Sequence, residues 1–255
     1  MNKLPWFLSL FMSVIATPVS AAVCQAKSGN TTTALLELYT SEGCDSCPPA
    51  DRWIAGLPSR GVGPDRVVPL ALHVDYWNHL GWTDRFSQAA FTQRQRELAN
   101  RAKSRTIYTP QLVLNGRDYY WTSNRLADDL ARTNRRPARA DINLQLVRKD
   151  WGLAVTGAAA LRQTSMDVGL YLALYENDLR TEVRAGENRG RTLEHAFVVH
   201  RLIGPLAFDS SGKAPIDETF KLDKTWNPNK LGVAAFVQEL KGTEVLQALA
   251  LRLCP

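Results

Sequence analysis

Three regimes of hydrophobic patterning divide the chain. Leu4 to Ile15 is a mostly apolar run holding Trp6, Phe7, Leu8, Leu10, Phe11, Met12 and Val14, and Pro18 breaks it. From Thr33 onward, strand-length apolar runs alternate with segments of helical spacing. Beyond Ala140 the period falls to two, as in strands with one face buried.

In the middle regime, Thr33 to Thr40 is an apolar run that predicts a strand. The segment Pro48 to Leu57 reads as the start of a helix, since Pro is tolerated in a first helical turn. Arg66 to Val74 is near-continuously apolar, as a strand covered on both faces should be. From Thr83 or Asp84 to about Lys103, Phe86, Ala89, Ala90, Leu98 and Ala102 recur at helical spacing. Gln111 to Leu114 is a strand, Asn115-Gly116 a hairpin turn, and Tyr119 to Trp121 the returning strand. Asn124 caps a last helix through Leu130 or Ala131. The segment 133–140 has the composition of a linker. After it, Asp141 to Val147, Trp151 to Val155, Val168 to Tyr175, Phe197 to Leu202, Thr219 to Leu222, Leu231 to Gln238 and Val245 to Leu253 are strand candidates. Several short strands without a long helix predict an antiparallel sandwich.

The first regime changes meaning once its flanks are considered. Lys3 precedes it and Val19-Ser20-Ala21 follows, which is the pattern of an export signal cleaved after Ala21 or Ala22. The run is shorter than the roughly 20 residues a membrane span needs. The mature chain is then expected to be periplasmic or secreted, with no transmembrane segment. The formal charge of +6 becomes +5 when Lys3 leaves. Apart from Arg132, Arg135, Arg136 and Arg139 that excess is dispersed, without the basic stripe and motif of a nucleic-acid binder.

An oxidising compartment makes lasting free thiols improbable for the four cysteines. Three pairings are open. Cys44–Cys47 with Cys24–Cys254 is preferred, because the close pair satisfies itself and leaves the chain ends to each other. A Cys-x-x-Cys alone also suits zinc, but a structural site needs further ligands at similar spacing. Here the pair stands at a strand-to-helix turn, where the helix dipole favours a thiolate on Cys44 and Cys47 resolves the mixed disulfide.

Together with Thr109-Pro110 ahead of a strand, this arrangement resembles the thioredoxin superfamily. The resemblance implies that Cys44 is the nucleophile, Cys47 the resolving thiol and Pro110 a cis proline, with the Thr109 backbone binding an extended substrate. Glu37, seven residues before Cys44, is a candidate proton relay near the position of that superfamily's buried acid. Cys44-Asp45-Ser46-Cys47 departs from thioredoxin proper, and Asp45 opposes the dipole. More narrowly, the segments 43–51, 73–77, 91–95 and 186–195 resemble the exported bacterial proteins catalogued as domain of unknown function twelve-twenty-three, a family that implies a compartment but no reaction.

Two other regions carry chemistry. The loop from His73 to Trp82 leaves the carboxyl end of a strand, so His73, Asp75, Tyr76, Trp77 and His79 are candidates to border the cysteines. In the later loop, which runs to His195, Asn188 suits a tight turn, and Arg189 and Arg191 are candidates to hold a partner's anion. The expected architecture is an α/β thioredoxin-like domain at 23–136 and an all-β sandwich-like domain at 137–255, after a signal peptide at 1–22. The expected function is a thiol–disulfide oxidoreductase acting on envelope proteins without a cofactor. A Cu(I) carrier using Cys44, Cys47 and His73, or a binding module with structural disulfides, is the alternative.

Overall fold

In the computed structural model, which describes residues 23–164 and 166–254, local patterning places most elements where expected. The signal peptide expected at 1–22 lies outside these residues. The first half holds β1 (Val23–Lys27), β2 (Ala34–Thr40), α1 (Pro48–Ala55), β3 (Val67–His73), α2 (Ala89–Arg101), β4 (Gln111–Leu114), β5 (Arg117–Tyr119) and α3 (Leu126–Thr133). The second half is all strands: β6 (Ala140–Lys149), β7 (Gly152–Leu161), β8 (Val168–Glu176), β9 (Leu179–Glu182), β10 (Thr192–His195), β11 (Val198–Leu206), β12 (Lys213–Phe220), β13 (Leu231–Glu239) and β14 (Val245–Arg252).

The sheet order overturns the expectation of an α/β thioredoxin-like domain followed by a separate all-β sandwich-like domain. One eight-stranded mixed sheet runs β14-β13-β8-β11-β3-β2-β4-β5 and so takes four strands from each half. The junction is β3 with β11, parallel at Ala71 and Val198, with the Ala71 N–H donating to Phe197 O at 2.8 Å. A smaller four-stranded sheet, β1-β6-β7-β12, and a β9-β10 ribbon complete the strands among the described residues. Period-two patterning tells which face of a strand is apolar. It does not tell which backbone edge meets which, and that choice made one sheet of two expected units.

Three cores follow from the alternation. On β2, Leu35 and Tyr39 face one way toward Phe91 and Leu98 of α2. Leu36 and Leu38 face the other way, toward Ile54 of α1 and Leu130 of α3. On β13, Ala234 and Phe236 continue the α2 side. Leu231, Val233, Ala235 and Val237 instead meet Ile142, Leu144 and Leu146 of the smaller sheet. The large sheet is therefore covered on both faces, which is why β2, β3 and β8 are buried along their whole length.

Several boundaries differ from expectation for local reasons. Helix α2 starts at Ala89 rather than at Thr83 or Asp84. The Asp84 carboxylate accepts from Phe86 N–H, and Ser87 N–H donates to Asp84 O, which holds this stretch as a turn. The Asn115-Gly116 hairpin forms with φ of 50° and 77°. A Cβ on Gly116 would lie 1.8 Å from Thr243 O, so the residue is required twice over. No helix of the described residues is long and apolar enough to cross a membrane.

Candidate functional site

Strands β2 and β3 run parallel and end side by side, Thr40 opposite His73. Every residue type singled out around the cysteines leaves from this edge. Beyond Thr40 the chain makes two turns and enters α1 at Pro48. Cys47, not Cys44, occupies the N-cap position, and its carbonyl accepts from the N–H groups of Ala50 and Asp51. Cys44 lies in the turn before, with its N–H on Ser41 O. This corrects the expectation that Cys44 itself sits at the helix mouth, because the helix opens on Pro48 and Pro49, whose missing N–H groups fit its first turn.

Two disulfides are closed, Cys44–Cys47 and Cys24–Cys254. Cys44 and Cys47 are both 0 % exposed. The loop between β9 and β10 is bonded to the backbone of this turn. Asn188 is fully buried, and its amide donates to Glu42 O and to Cys44 O, each at 2.9 Å. Arg191 donates to Asn188 Oδ1 at 2.8 Å and so fixes the amide's orientation. Glu187 accepts from Asp45 N–H at 3.2 Å. Gly186, with φ of 69°, passes so near Trp82 that a Cβ would lie 3.0 Å from the Trp82 Cβ. Arg189 is exposed and away from this grip.

Losing the Asn188 side chain removes two buried hydrogen bonds, worth about 1 kcal/mol each net. The open loop should then be populated roughly 30-fold more. Asn188→Ala is therefore expected to speed reduction of Cys44–Cys47 by a small dithiol about 10- to 30-fold. A rate equal to that of the unaltered chain would show that this loop does not gate the sulfurs.

The helix α2 segment 91–95 positions the other side of the turn. Thr92 donates to Asp75 Oδ1 at 2.6 Å, and Gln95 donates to Tyr108 O and to Gln111 Oε1 while accepting from Tyr76 OH. Trp77 packs its Cβ where a Gly43 side chain would be and donates from Nε1 to Thr109 Oγ1 at 2.7 Å. One indole thus bridges the cysteine turn and Thr109-Pro110, whose peptide bond is cis. His79 is exposed and lies outside this assembly.

Glu37 is buried on β2, where its Oε1 accepts from Arg94 at 2.6 Å and from Tyr39 OH at 3.1 Å. Its Oε1 is taken by that ion pair, its Oε2 is buried without a partner, and neither oxygen hydrogen-bonds a cysteine.

Sequence reasoning missed a buried polar cluster beside the disulfide. His73 Nδ1 lies 2.6 Å from Asp84 Oδ2. That same oxygen accepts from Glu42 N–H at 2.8 Å. Asp51, on α1, accepts from Thr40 at 3.1 Å, and Glu42 accepts from Trp82 Nε1 at 2.9 Å. His195, on β10, brings Nε2 to 3.2 Å from Glu42 Oε1, out of line for a hydrogen bond. Its ring meets that of His73 edge-on at 5.0 Å.

The electrostatics follow from burial. Burial alone would lower the His73 pKa, yet the Asp84 charge and hydrogen bond carry it above the ordinary value. For Asp84 burial also opposes ionisation, and His73 with two backbone N–H donors outweighs it, so that carboxyl falls below its usual range. Burial pushes the Asp51 carboxyl up, against the pull of both imidazoles. Asp51 was legible in principle: it is one helical turn after Cys47, on the inward stripe shared with Ala50 and Ile54.

A family model described as "Protein of unknown function (DUF1223)" matches residues 35–238. Among solved structures, the X-ray crystal structure of protein AGR_C_4864 from Agrobacterium tumefaciens is similar at 23 % identity and a TM-score of 0.62, over 88 % of this chain and 96 % of that one. The structure of HBP35 of Porphyromonas gingivalis is similar at 17 % identity and a TM-score of 0.66, over 89 % of this chain and 76 % of that one. At these identities the likeness is one of fold. No curated protein matches this sequence.

Proposed function

Because the chain belongs to the DUF1223 family of proteins of unknown function, we propose its function from its own site: it is an exported thiol–disulfide oxidoreductase with Cys44 and Cys47 as its reacting pair. The observation that carries this reading is the closed disulfide at the strand-to-helix turn into α1, under a loop held largely by one side chain. Kinship with the thioredoxin superfamily belongs to the same proposal and rests on this turn, not on the overall sheet. Two disulfides support an oxidising compartment, periplasmic or extracellular.

The chemistry needs no added cofactor. With the loop displaced, a substrate thiolate attacks Cys44, the Cys44–Cys47 bond breaks, and Cys47 leaves as a thiolate at the N-terminal end of α1, where the backbone N–H groups favour negative charge. The second substrate thiol then displaces Cys44. One substrate disulfide forms, two electrons pass to the pair, and two protons are released or taken up with the thiols. The reverse sequence reduces a substrate disulfide.

The complete burial of both sulfurs favours a second reading, a binding module in which the bridge is only structural. One experiment separates the two. Cys44→Ser should abolish exchange with a small disulfide or an unfolded dithiol protein, while Cys47→Ala should accumulate mixed disulfides through Cys44. If the unaltered protein exchanges no faster than a denatured cysteine pair, and Cys47→Ala traps nothing, the oxidoreductase reading fails and the structural one replaces it.

A further inference from the structure

We propose that Asp51, His73 and His195 form a binding site for one divalent transition-metal ion of zinc-like character. The three come from α1, the end of β3 and β10, and are all buried. One ligand atom of each lies within 4.8 Å of the others. Ligands about 2.0–2.2 Å from a tetrahedral ion stand about 3.3–3.6 Å apart, so binding would draw the most separated atoms together by up to about 1.5 Å. The proposal stands apart from the thiol reading, since it uses neither sulfur.

Three independent features point to a cation. The first is unmet ligand capacity: His73 Nε2, both ring nitrogens of His195 and Glu42 Oε1 are buried without a hydrogen-bond partner. Such orphans cost about 1–3 kcal/mol each unless something fills the space between them. The second is the way His73 is held. Asp84 fixes Nδ1 at 2.6 Å and is itself anchored by two backbone N–H groups, leaving Nε2 free to ligate. A carboxylate behind a histidine sets ring orientation and tautomer in metal sites generally.

The third is charge. Glu42, Asp51 and Asp84 are all buried, and no Lys or Arg among the described residues pairs with any of them. A divalent ion would give these buried carboxylates the positive partner that no side chain supplies. Two imidazoles and a carboxylate suit zinc over calcium or magnesium, which prefer all-oxygen sites. A cavity of about 80 Å³ between α1 and β10 has Asp51 and His195 in its lining, with Pro48, Arg52 and Leu193.

The test uses the untagged protein, kept oxidised so that Cys44 and Cys47 offer no thiolate. After chelator treatment it is titrated with Co²⁺ and then with Zn²⁺. One equivalent of Co²⁺ should raise visible d–d bands, one equivalent of Zn²⁺ should bleach them, and Zn²⁺ should raise the melting temperature. His195→Ala should weaken Zn²⁺ binding at least tenfold, and Asp84→Asn by roughly 10- to 100-fold. His79→Ala, the exposed histidine outside the cluster, should leave binding unchanged. Where a variant does not fold, paramagnetically shifted ring resonances from two histidines in the cobalt form of the unaltered chain decide the matter. No d–d band in the unaltered protein, no shifted histidine resonances, or Zn²⁺ affinity unchanged in both His195→Ala and Asp51→Asn would overturn the proposal.

Discussion

Replacing Cys24 and Cys254 together by alanine should lower the free energy of unfolding by about 4–5 kcal/mol, the largest single loss expected in this chain. The bridge spans 230 positions. Closing so long a loop removes much denatured-chain entropy, about 4.7 kcal/mol already at 100 residues. Its place in the fold adds a second reason. Cys24 is on β1, an edge strand of the smaller sheet, and Cys254 follows β14, an edge strand of the larger one. The bond therefore joins the two sheets where β1 has only β6 for a partner, and Cys24 also packs in the core between them. Urea titration of the oxidised protein and the double variant measures the difference, with equal m-values as the check that the denatured states match. A loss under about 1 kcal/mol would mean that packing between the sheets already holds the ends together in the denatured ensemble.

Arg94→Met should cost about 3–5 kcal/mol, although it removes a charge from the interior. Arg94 reaches across the large sheet, donating to Glu37 at 2.6 Å and to Gln238 at 2.9 Å. Its guanidinium lies 4.9 Å from the Tyr171 ring centroid and 5.0 Å from that of Phe236, and these two rings are stacked on each other. Burial works against the guanidinium charge, but Glu37 and Tyr39 together hold its pKa above the ordinary arginine value. Removing one partner of such a pair strands the other charge in the core. Adding Glu37→Leu to Arg94→Met should recover half or more of the loss, the remainder reflecting the Tyr39 hydroxyl and Gln238 left without partners. Thermal and urea unfolding of the two single variants and the double variant give the coupling directly. If Glu37→Leu alone is neutral, the pair is not the interaction that holds this region.

The motifs read along the chain turned out to meet in space, and the particular residues show why only part of their roles was legible. The Cys44–Cys47 bridge was the preferred one of three pairings, because two cysteines three positions apart can satisfy each other without constraining the fold, and it is closed. Thr109-Pro110 was placed by the strand after it. The segment 91–95 gave no hint of its targets, since Thr92, Arg94 and Gln95 act on Asp75, Glu37 and Tyr108 through contacts that helical periodicity does not specify. Asn188 was noted for its loop, with its arginine neighbours read as anion ligands. In the fold Arg191 serves Asn188, and Asn188 serves the backbone of the cysteine turn.

The sequence by itself determined the local elements: the strand at 34–40, the Pro-initiated helix after Cys47, the Asn-Gly hairpin and the period-two strands beyond 140. Each depends on side-chain alternation or turn chemistry within about ten residues, and those signals survive without knowledge of the rest of the chain. The tertiary structure alone decided that β3 pairs with β11, and so that both halves share one sheet. Backbone edges carry no side-chain code for their partner. It alone also decided that Glu42, Asp51, His73, Asp84 and His195 would be buried together. A polar residue's burial depends on what distant segments cover it, and here the covering segment arrives about 150 residues after Glu42, with the loop of Asn188 and His195.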